Sequence, residues 1–202
     1  MNNTDLKVGI IILAAGASFR MGSPKQLIKV GEKSLIRHIA EEALTTQNRP
    51  VVVVLGANKA AIVPEIADLH HLSFADNPQW QKGMASSIKM GLVGTYLIDK
   101  HLDAVIILVS DQPHVSAALI RRMIAVQAIS EKGIVACRYG GQLGVPVLFT
   151  RKYFETLLNL EGDKGAKIVV NEYLEDTAVL NFEKGIVDLD TPEDVTNWES
   201  NN

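Results

Sequence analysis

The sequence predicts an α/β fold built on a mostly parallel central sheet. Three observations carry this. Five short apolar runs rich in β-branched residues are each bounded by turn or polar residues. Amphipathic helical patterns lie between them. The runs are apolar throughout rather than alternating, as expected of strands buried on both faces.

The first strand spans Val8–Leu13. Its surroundings, "VGIIILAAGA", raise the question of a signal peptide, but the run is short, Asp5 precedes it, and Arg20 and Lys25 follow closely. A buried strand in a cytoplasmic protein is the expectation. Ser34 is placed to cap a helix in which Leu35, Ile39 and Ala43 repeat on one face. A strand over Val51–Leu55 follows, then a helix over roughly Ser86–Ile98 and a central strand over Ala104–Val109. Ser116 is placed to cap a further helix that buries Leu119, Met123 and Val126. Ile134–Cys137 and Val145–Phe149 complete the strands. Open sheets of this kind bind ligands beyond the carboxyl ends of their strands. Chemistry is therefore expected after Leu13, Leu55 and Val109.

Composition narrows the field. A chain of 202 residues without repeats, low-complexity tracts or linkers is expected to form one domain, 1–202, burying roughly 70% of the surface exposed when unfolded. No apolar run approaches the ~20 residues of a membrane helix. A formal charge of −3 argues against non-specific nucleic-acid binding, so an anionic ligand must be met by local positive charge. The single cysteine, Cys137, excludes an internal disulfide. Within "GIVACRYG" it reads as a buried thiol.

The stretch "IILAAGASFRMGSPKQL" carries the first motif. Gly16 and Gly22 are spaced wrongly for a dinucleotide fingerprint, and Ser23-Pro24 before Lys25 breaks the P-loop pattern. Two glycines still allow backbone N–H groups to approach an anion, and Arg20 and Lys25 add two cations suited to a polyphosphate. An ordinary strand-to-helix turn with two solvated charges would read the same way. In "VIILVSDQPHVS", Asp111 follows the central strand and is a natural ligand for Mg²⁺, which uses one or two carboxylates with substrate phosphates. The competing role is a helix cap, since Pro113 and Ser116 also mark a helix start; His114 reads as a solvated loop residue. "DNPQWQKGMASSIKMG" sets Gly83, Ser86 and Ser87 about a helix start, fit either for contacting a nucleotide or for capping, with Trp80 packing or stacking. "RYGGQLGVPVLF" has three glycines before a buried strand, which allows a close-approach pocket. "EGDKGAKIVV" places Asp163, Lys164 and Lys167 near another helix start. "DLDTPEDV" reads as a strand ending in a carboxylate, Asp188 or Asp190, before a helix with Pro192 at its first position.

Together these residues resemble the nucleotidyltransferases of the molybdenum cofactor type. "LAAGASFRMGSPKQL" matches their Leu-Ala-Ala-Gly-x-Ser-x-Arg-Met-Gly-x-x-Lys signature. "SDQP", "GQLGVPVLF", "GDKGAK" and "DLDTPED" are similar to the molybdopterin cytidylyltransferase branch, and the likeness runs from about Val8 to Val195. The resemblance implies a three-layer, Rossmann-like fold of the nucleotide-diphospho-sugar transferase type. It implies transfer of CMP from CTP to the phosphate of a pterin-type cofactor, with pyrophosphate released and Mg²⁺ required. Leu13, Ala14, Ala15, Gly16, Arg20, Gly22 and Lys25 would lie along the nucleotide, with Gly83 and Ser87 beside it. Asp111 and Asp190 (or Asp188) would bind metal; Arg20, Lys25 and Asp111 would be the catalytic set. Gly144, Pro146, Asp163 and Lys167 would face the acceptor. GTP-using relatives carry Leu-Ala-Gly-Gly where this chain has Ala15, which points to CTP. The chain departs from the pattern at Ser110, where many relatives have glycine, and at Lys167, where arginine is usual and makes bidentate contacts that lysine cannot. A molybdoenzyme or its chaperone would be the downstream partner. The alternatives are transfer to a sugar phosphate or another small phosphate, and a non-catalytic cofactor carrier or insertion chaperone.

Overall fold

The computed structural model describes residues 6–18, 21–189 and 191–201. In chain order the strands are β1 (Val8–Ala14), β2 (Lys29–Val30), β3 (Lys33–Ser34), β4 (Val51–Leu55), β5 (Leu72–Asp76), β6 (Ala104–Val109), β7 (Ile134–Tyr139), β8 (Gln142–Thr150) and β9 (Thr177–Asn181). The α-helices are α1 (Leu35–Thr45), α2 (Lys59–Ile66), α3 (Met84–Ile98), α4 (Ala117–Ser130), α5 (Phe154–Leu158), α6 (Ala166–Glu172) and α7 (Pro192–Asn201).

The main sheet has the order β5-β4-β1-β6-β8-β7-β9. All neighbouring pairs are parallel except those made by β8, which runs against both β6 and β7. The sheet is thus mostly parallel, as expected. β2 and β3 form a separate small hairpin.

Period-two alternation on β1 divides the core into two clusters. Val8, Ile10, Ile12 and Ala14 pack with α1, α2 and α4. Ile11 and Leu13 pack on the other face with α3, α5 and α6. Ile10, Ile11 and Ile12 are fully buried, each contributing about 1.5–3 kcal/mol by transfer from water. The outcome is a three-layer sandwich in which the central strands β1, β4 and β6 are buried almost throughout.

All five expected strands form, with extensions of one to three residues at some ends. β5 and β9 are not evident from the sequence because both are edge strands with only one buried residue each. Pro64 lies inside α2 and masks its helical pattern. Ser116 caps α4 as expected, accepting the Leu119 N–H at 3.3 Å. Ser34 occupies the cap position of α1 but makes no side-chain cap. The first helical N–H, on Leu35, donates to the Ile28 carbonyl at 2.8 Å, so backbone just before the hairpin satisfies one of the free donors at the helix start. α3 starts at Met84, two residues before the expected boundary. Thr191 and Asp194 close a reciprocal cap on α7: the Thr191 N–H donates to Asp194 Oδ2 at 2.7 Å, and the Asp194 N–H to Thr191 Oγ1 at 3.2 Å. Val187–Leu189 is not a strand. The Leu189 N–H bonds the Asp111 carbonyl at 3.1 Å, which lays this segment beside the Asp111 loop without a ladder.

Candidate active site

The parallel register brings Leu13 level with Val109 and Ala14 level with Leu55, so the loops after β1, β4 and β6 leave the sheet at one edge. A cavity of about 490 Å³ opens there, lined by residues of the β1 loop, the start of α3, the β6 end and Asp163. Of the nucleotide positions expected from the sequence, Leu13, Ala15, Gly16, Lys25, Gly83 and Ser87 line it, and so does Asp111. Ala14 is buried in the strand behind. Gly22 is exposed with φ +68° and does not line the cavity. Arg20 and Asp190 lie outside the described residues.

Asp111 is not a helix cap: α4 begins six residues later, at Ala117, and Ser116 is its cap. It is 8% exposed. Lys25 Nζ donates to its Oδ2, while its Oδ1 is buried and makes no hydrogen bond. A buried acceptor left unpaired costs about 1–3 kcal/mol, and a hard carboxylate oxygen of this kind suits a divalent cation. Among the described residues no group of three or more His, Cys, Asp or Glu side chains converges to hold a metal. Asp188 is exposed, on the segment bonded to the Asp111 backbone.

The walls are held by polar side chains that sequence reasoning passed over. Gln26, 1% exposed, donates through Nε2 to the Ala14 and Gly16 carbonyls at 3.2 and 3.1 Å. Asn77, also 1% exposed, donates to Ser86 Oγ at 2.9 Å and Ser87 Oγ at 3.0 Å, and accepts the Gln79 N–H at 3.0 Å. Gln112 donates to the Val145 carbonyl at 3.2 Å and the Gly185 carbonyl at 3.1 Å, joining the Asp111 loop to β8 and the C-terminal segment. The only available signal was position: each stands next to, or between, motif residues.

Gly83 precedes α3 with φ +97°, and the loop of residues 161–165 presses against it. A Cβ at Gly83 would stand 2.4 Å from both Asp163 Oδ1 and the Gly162 carbonyl oxygen, and that carbonyl accepts the Ala85 N–H at 3.1 Å. Asp163 thereby reaches the cavity. The other acceptor candidates do not line it: Gly144 and Pro146 are buried on β8, and exposed Lys167 donates to Gln142 Oε1. Trp80 both lines the cavity and packs on the core beside it. His114, expected to be solvated, is half-buried, with its ring 4.8 Å from that of Trp198. Burial lowers its pKa, as do Lys184 and His38. Cys137 is buried as expected, and burial pushes its thiol up to about 12, which leaves it inert as a nucleophile.

The strand order with its one reversed strand is that of the nucleotide-diphospho-sugar transferase type of fold. Within it the chain belongs to the MobA-like NTP transferase domain family, whose model matches residues 10–177. The chain is 34% identical over 126 residues to nicotine blue oxidoreductase of Paenarthrobacter nicotinovorans, covering 61% of this chain and 59% of that one. It is 26% identical over 195 residues to the purine catabolism protein PucB of Bacillus subtilis, covering 91% and 92%. Among solved structures it is similar to Rv0371c of Mycobacterium tuberculosis H37Rv, with a TM-score of 0.81, 26% identity and coverage of 96% and 98%. Rv0371c has also been solved in complex with manganese, with a TM-score of 0.75, 24% identity and coverage of 95% and 97%. Among the described residues no helix is long and apolar enough to cross a membrane.

Proposed function

We propose that the chain transfers CMP from CTP to the phosphate of a molybdopterin-type cofactor and releases pyrophosphate. The observation that carries this reading is the meeting of Lys25, from the glycine loop, with Asp111, from the β6 end, inside one cavity. A phosphate-binding cation and a metal-suited carboxylate serve transfer between two anions better than they serve a carrier, which needs neither. Ala15 carries the choice of CTP.

In the reaction, an oxygen of the acceptor phosphate forms a bond to the α-phosphorus. The bond from that phosphorus to the oxygen bridging to the β-phosphate breaks, and the pyrophosphate leaves in line. Both reactants are anionic, so the work of the protein is positioning and charge neutralisation rather than covalent catalysis. Gly16 and its loop lie along the triphosphate, and Lys25 and Arg20 steady the charge that grows on the leaving group. Gly83 and Ser87 hold the nucleoside side, with Ser87 fixed by Asn77. Asp163 faces the acceptor. Asp111, with Asp190, would hold Mg²⁺ or Mn²⁺; the unpaired Asp111 Oδ1 fits such an ion. That ion, when bound, supplies Lewis-acid neutralisation of phosphate charge.

The test supplies CTP, GTP, ATP and UTP separately with Mg²⁺ and either a molybdopterin-type or a sugar-phosphate acceptor, and measures pyrophosphate. Release from CTP with the pterin acceptor is expected. Release with the sugar phosphate alone would move the protein to another acceptor class. Cofactor binding with no release from any pair would make it a carrier.

A further inference from the structure

The residue after Lys25 has no role in the chemistry above, yet it is among the most buried polar side chains in the molecule. Gln26 sits in the single 3-10 turn Lys25–Leu27 that closes the glycine loop. Its side chain crosses from the closing limb of that loop to the opening limb. Nε2 donates to the carbonyls of Ala14 and Gly16, one on each side of Ala15. Oε1 lies 3.4 Å from the Ser18 hydroxyl, which donates to it. That hydroxyl oxygen in turn accepts the Lys25 N–H at 3.1 Å. Ser18 itself holds φ +56°, a strained backbone for serine that needs surrounding bonds to persist. The carboxamide orientation is dictated by chemistry, because only an NH₂ group can face two carbonyl oxygens. Asn58 Nδ2 also donates to the Gly16 carbonyl, at 3.3 Å, but from outside the loop. Gln26 ties the Ala14 and Gly16 backbone to the residue beside Lys25, and the Ser18 hydroxyl completes the tie by bonding both Gln26 and the Lys25 N–H.

We infer that Gln26 is a positioning residue for the triphosphate: it sets the separation between the Gly16 backbone and Lys25, and so the fit of the site to the β- and γ-phosphates. This rests on the reading that the cavity binds a nucleoside triphosphate. It assigns a task that neither glycine spacing nor the lysine can perform alone, since among the described residues the two limbs of the loop are tied through Gln26 and through the Ser18 hydroxyl that bonds both Gln26 and the Lys25 N–H. Carboxamide chemistry is essential to the device. A carboxylate at the same place would set oxygen against two carbonyl oxygens, and a thioether would remove the Gln26 donor from the Ala14 carbonyl and leave the Gly16 carbonyl to Asn58.

The experiment measures binding of CTP and CMP, each with Mg²⁺, by titration calorimetry to the full-length protein and to Gln26→Met, which keeps the side-chain length and removes the donors. Loss of the three Gln26 side-chain hydrogen bonds should weaken CTP by about 10- to 100-fold, while CMP, which lacks the β- and γ-phosphates, changes by less than about threefold, within the worth of a single weak contact. Gln26→Glu supplies the second measurement if Gln26→Met does not fold. Its CTP affinity should be poor at pH 8 and recover in part at pH 5.5, relative to the unsubstituted protein at the same pH, because a protonated carboxyl restores one donor. Equal losses for CTP and CMP would mean general loosening and would overturn the positioning role. Unchanged CTP affinity in Gln26→Met would overturn it too, while leaving the triphosphate reading standing. Failure of the unsubstituted protein to bind any nucleotide would instead overturn the triphosphate reading on which the inference rests.

Discussion

Gly83 holds φ +97° and ψ 178°, a region almost confined to glycine that costs on the order of 1–3 kcal/mol to impose on another residue. In Gly83→Ala the new methyl would lie 2.4 Å from Asp163 Oδ1 and 2.4 Å from the Gly162 carbonyl oxygen. The aspartate can rotate away. The carbonyl cannot, because it accepts the Ala85 N–H at 3.1 Å, so the loop must lift and that bond is lost, adding about 1 kcal/mol. The total is about 2–4 kcal/mol. At ~2–4 °C per kcal/mol for a chain of this size, the variant should melt roughly 4–16 °C lower by calorimetry. Nucleotide affinity should fall with it, since Gly83, Met84, Ser87 and Asp163 share the cavity wall. Adding Asp163→Ala should recover only part of the loss, because the backbone clash remains. A Gly83→Ala protein that melts within a degree of the parent and binds nucleotide equally well would refute the claim that the 161–165 loop is seated on this glycine.

Lys25→Ala should lower kcat/KM by about 10²–10³-fold, the usual effect of removing one strong electrostatic donor; an unchanged value would take Lys25 off the phosphates. Asp111→Ala should keep its melting curve but lose metal-dependent pyrophosphate release, and near-normal turnover would remove Asp111 from the metal site. Far from the cavity, hydrogen bonds from Lys152, Tyr153 and the Gly133 N–H hold the Asp176 carboxyl down to about 2. A depressed carboxylate pKa stabilises fully above its unfolded value of about 3.9 and loses that contribution as pH falls through the folded one. Asp176→Asn should therefore melt lower than the parent at pH 7, with the gap closing as pH drops from about 4 to about 2. A gap that persists at pH 2 would mean the carboxylate charge is not what matters there.

How much of this was legible depends on whether a feature is written in pattern or in packing. The central strands were plain because burial on both faces demands apolar residues at every position, and Val51–Leu55 shows that demand without interruption. The edge strands Leu72–Asp76 and Thr177–Asn181 bury one residue each, so nothing in their composition separates them from loops. The site was legible where chemistry needs a charge or a glycine at a strand end: Gly16, Lys25 and Asp111 all reach the cavity. Acceptor candidates chosen by motif were dispersed, because Gly144 and Pro146 belong to a strand that turns them into the sheet.

What pattern cannot show is the group that makes the pattern work. Gln26, Asn77 and Gln112 are each at most 3% exposed, although glutamine and asparagine are ordinarily surface residues. Each bonds a different pair of segments at the cavity: Gln26 the two limbs of the glycine loop, Asn77 the end of β5 and the start of α3, Gln112 the Asp111 loop and β8. A carboxamide is suited to this because it is neutral, so burial costs no ionic desolvation, and because its NH₂ group donates twice, to backbone carbonyls from Gln26 and Gln112 and to serine hydroxyls from Asn77. A cation in any of these places would compete with Lys25 for an anionic ligand, and an anion would repel that ligand. The walls of a site that must concentrate charge on its ligand are therefore best tied by groups that carry none.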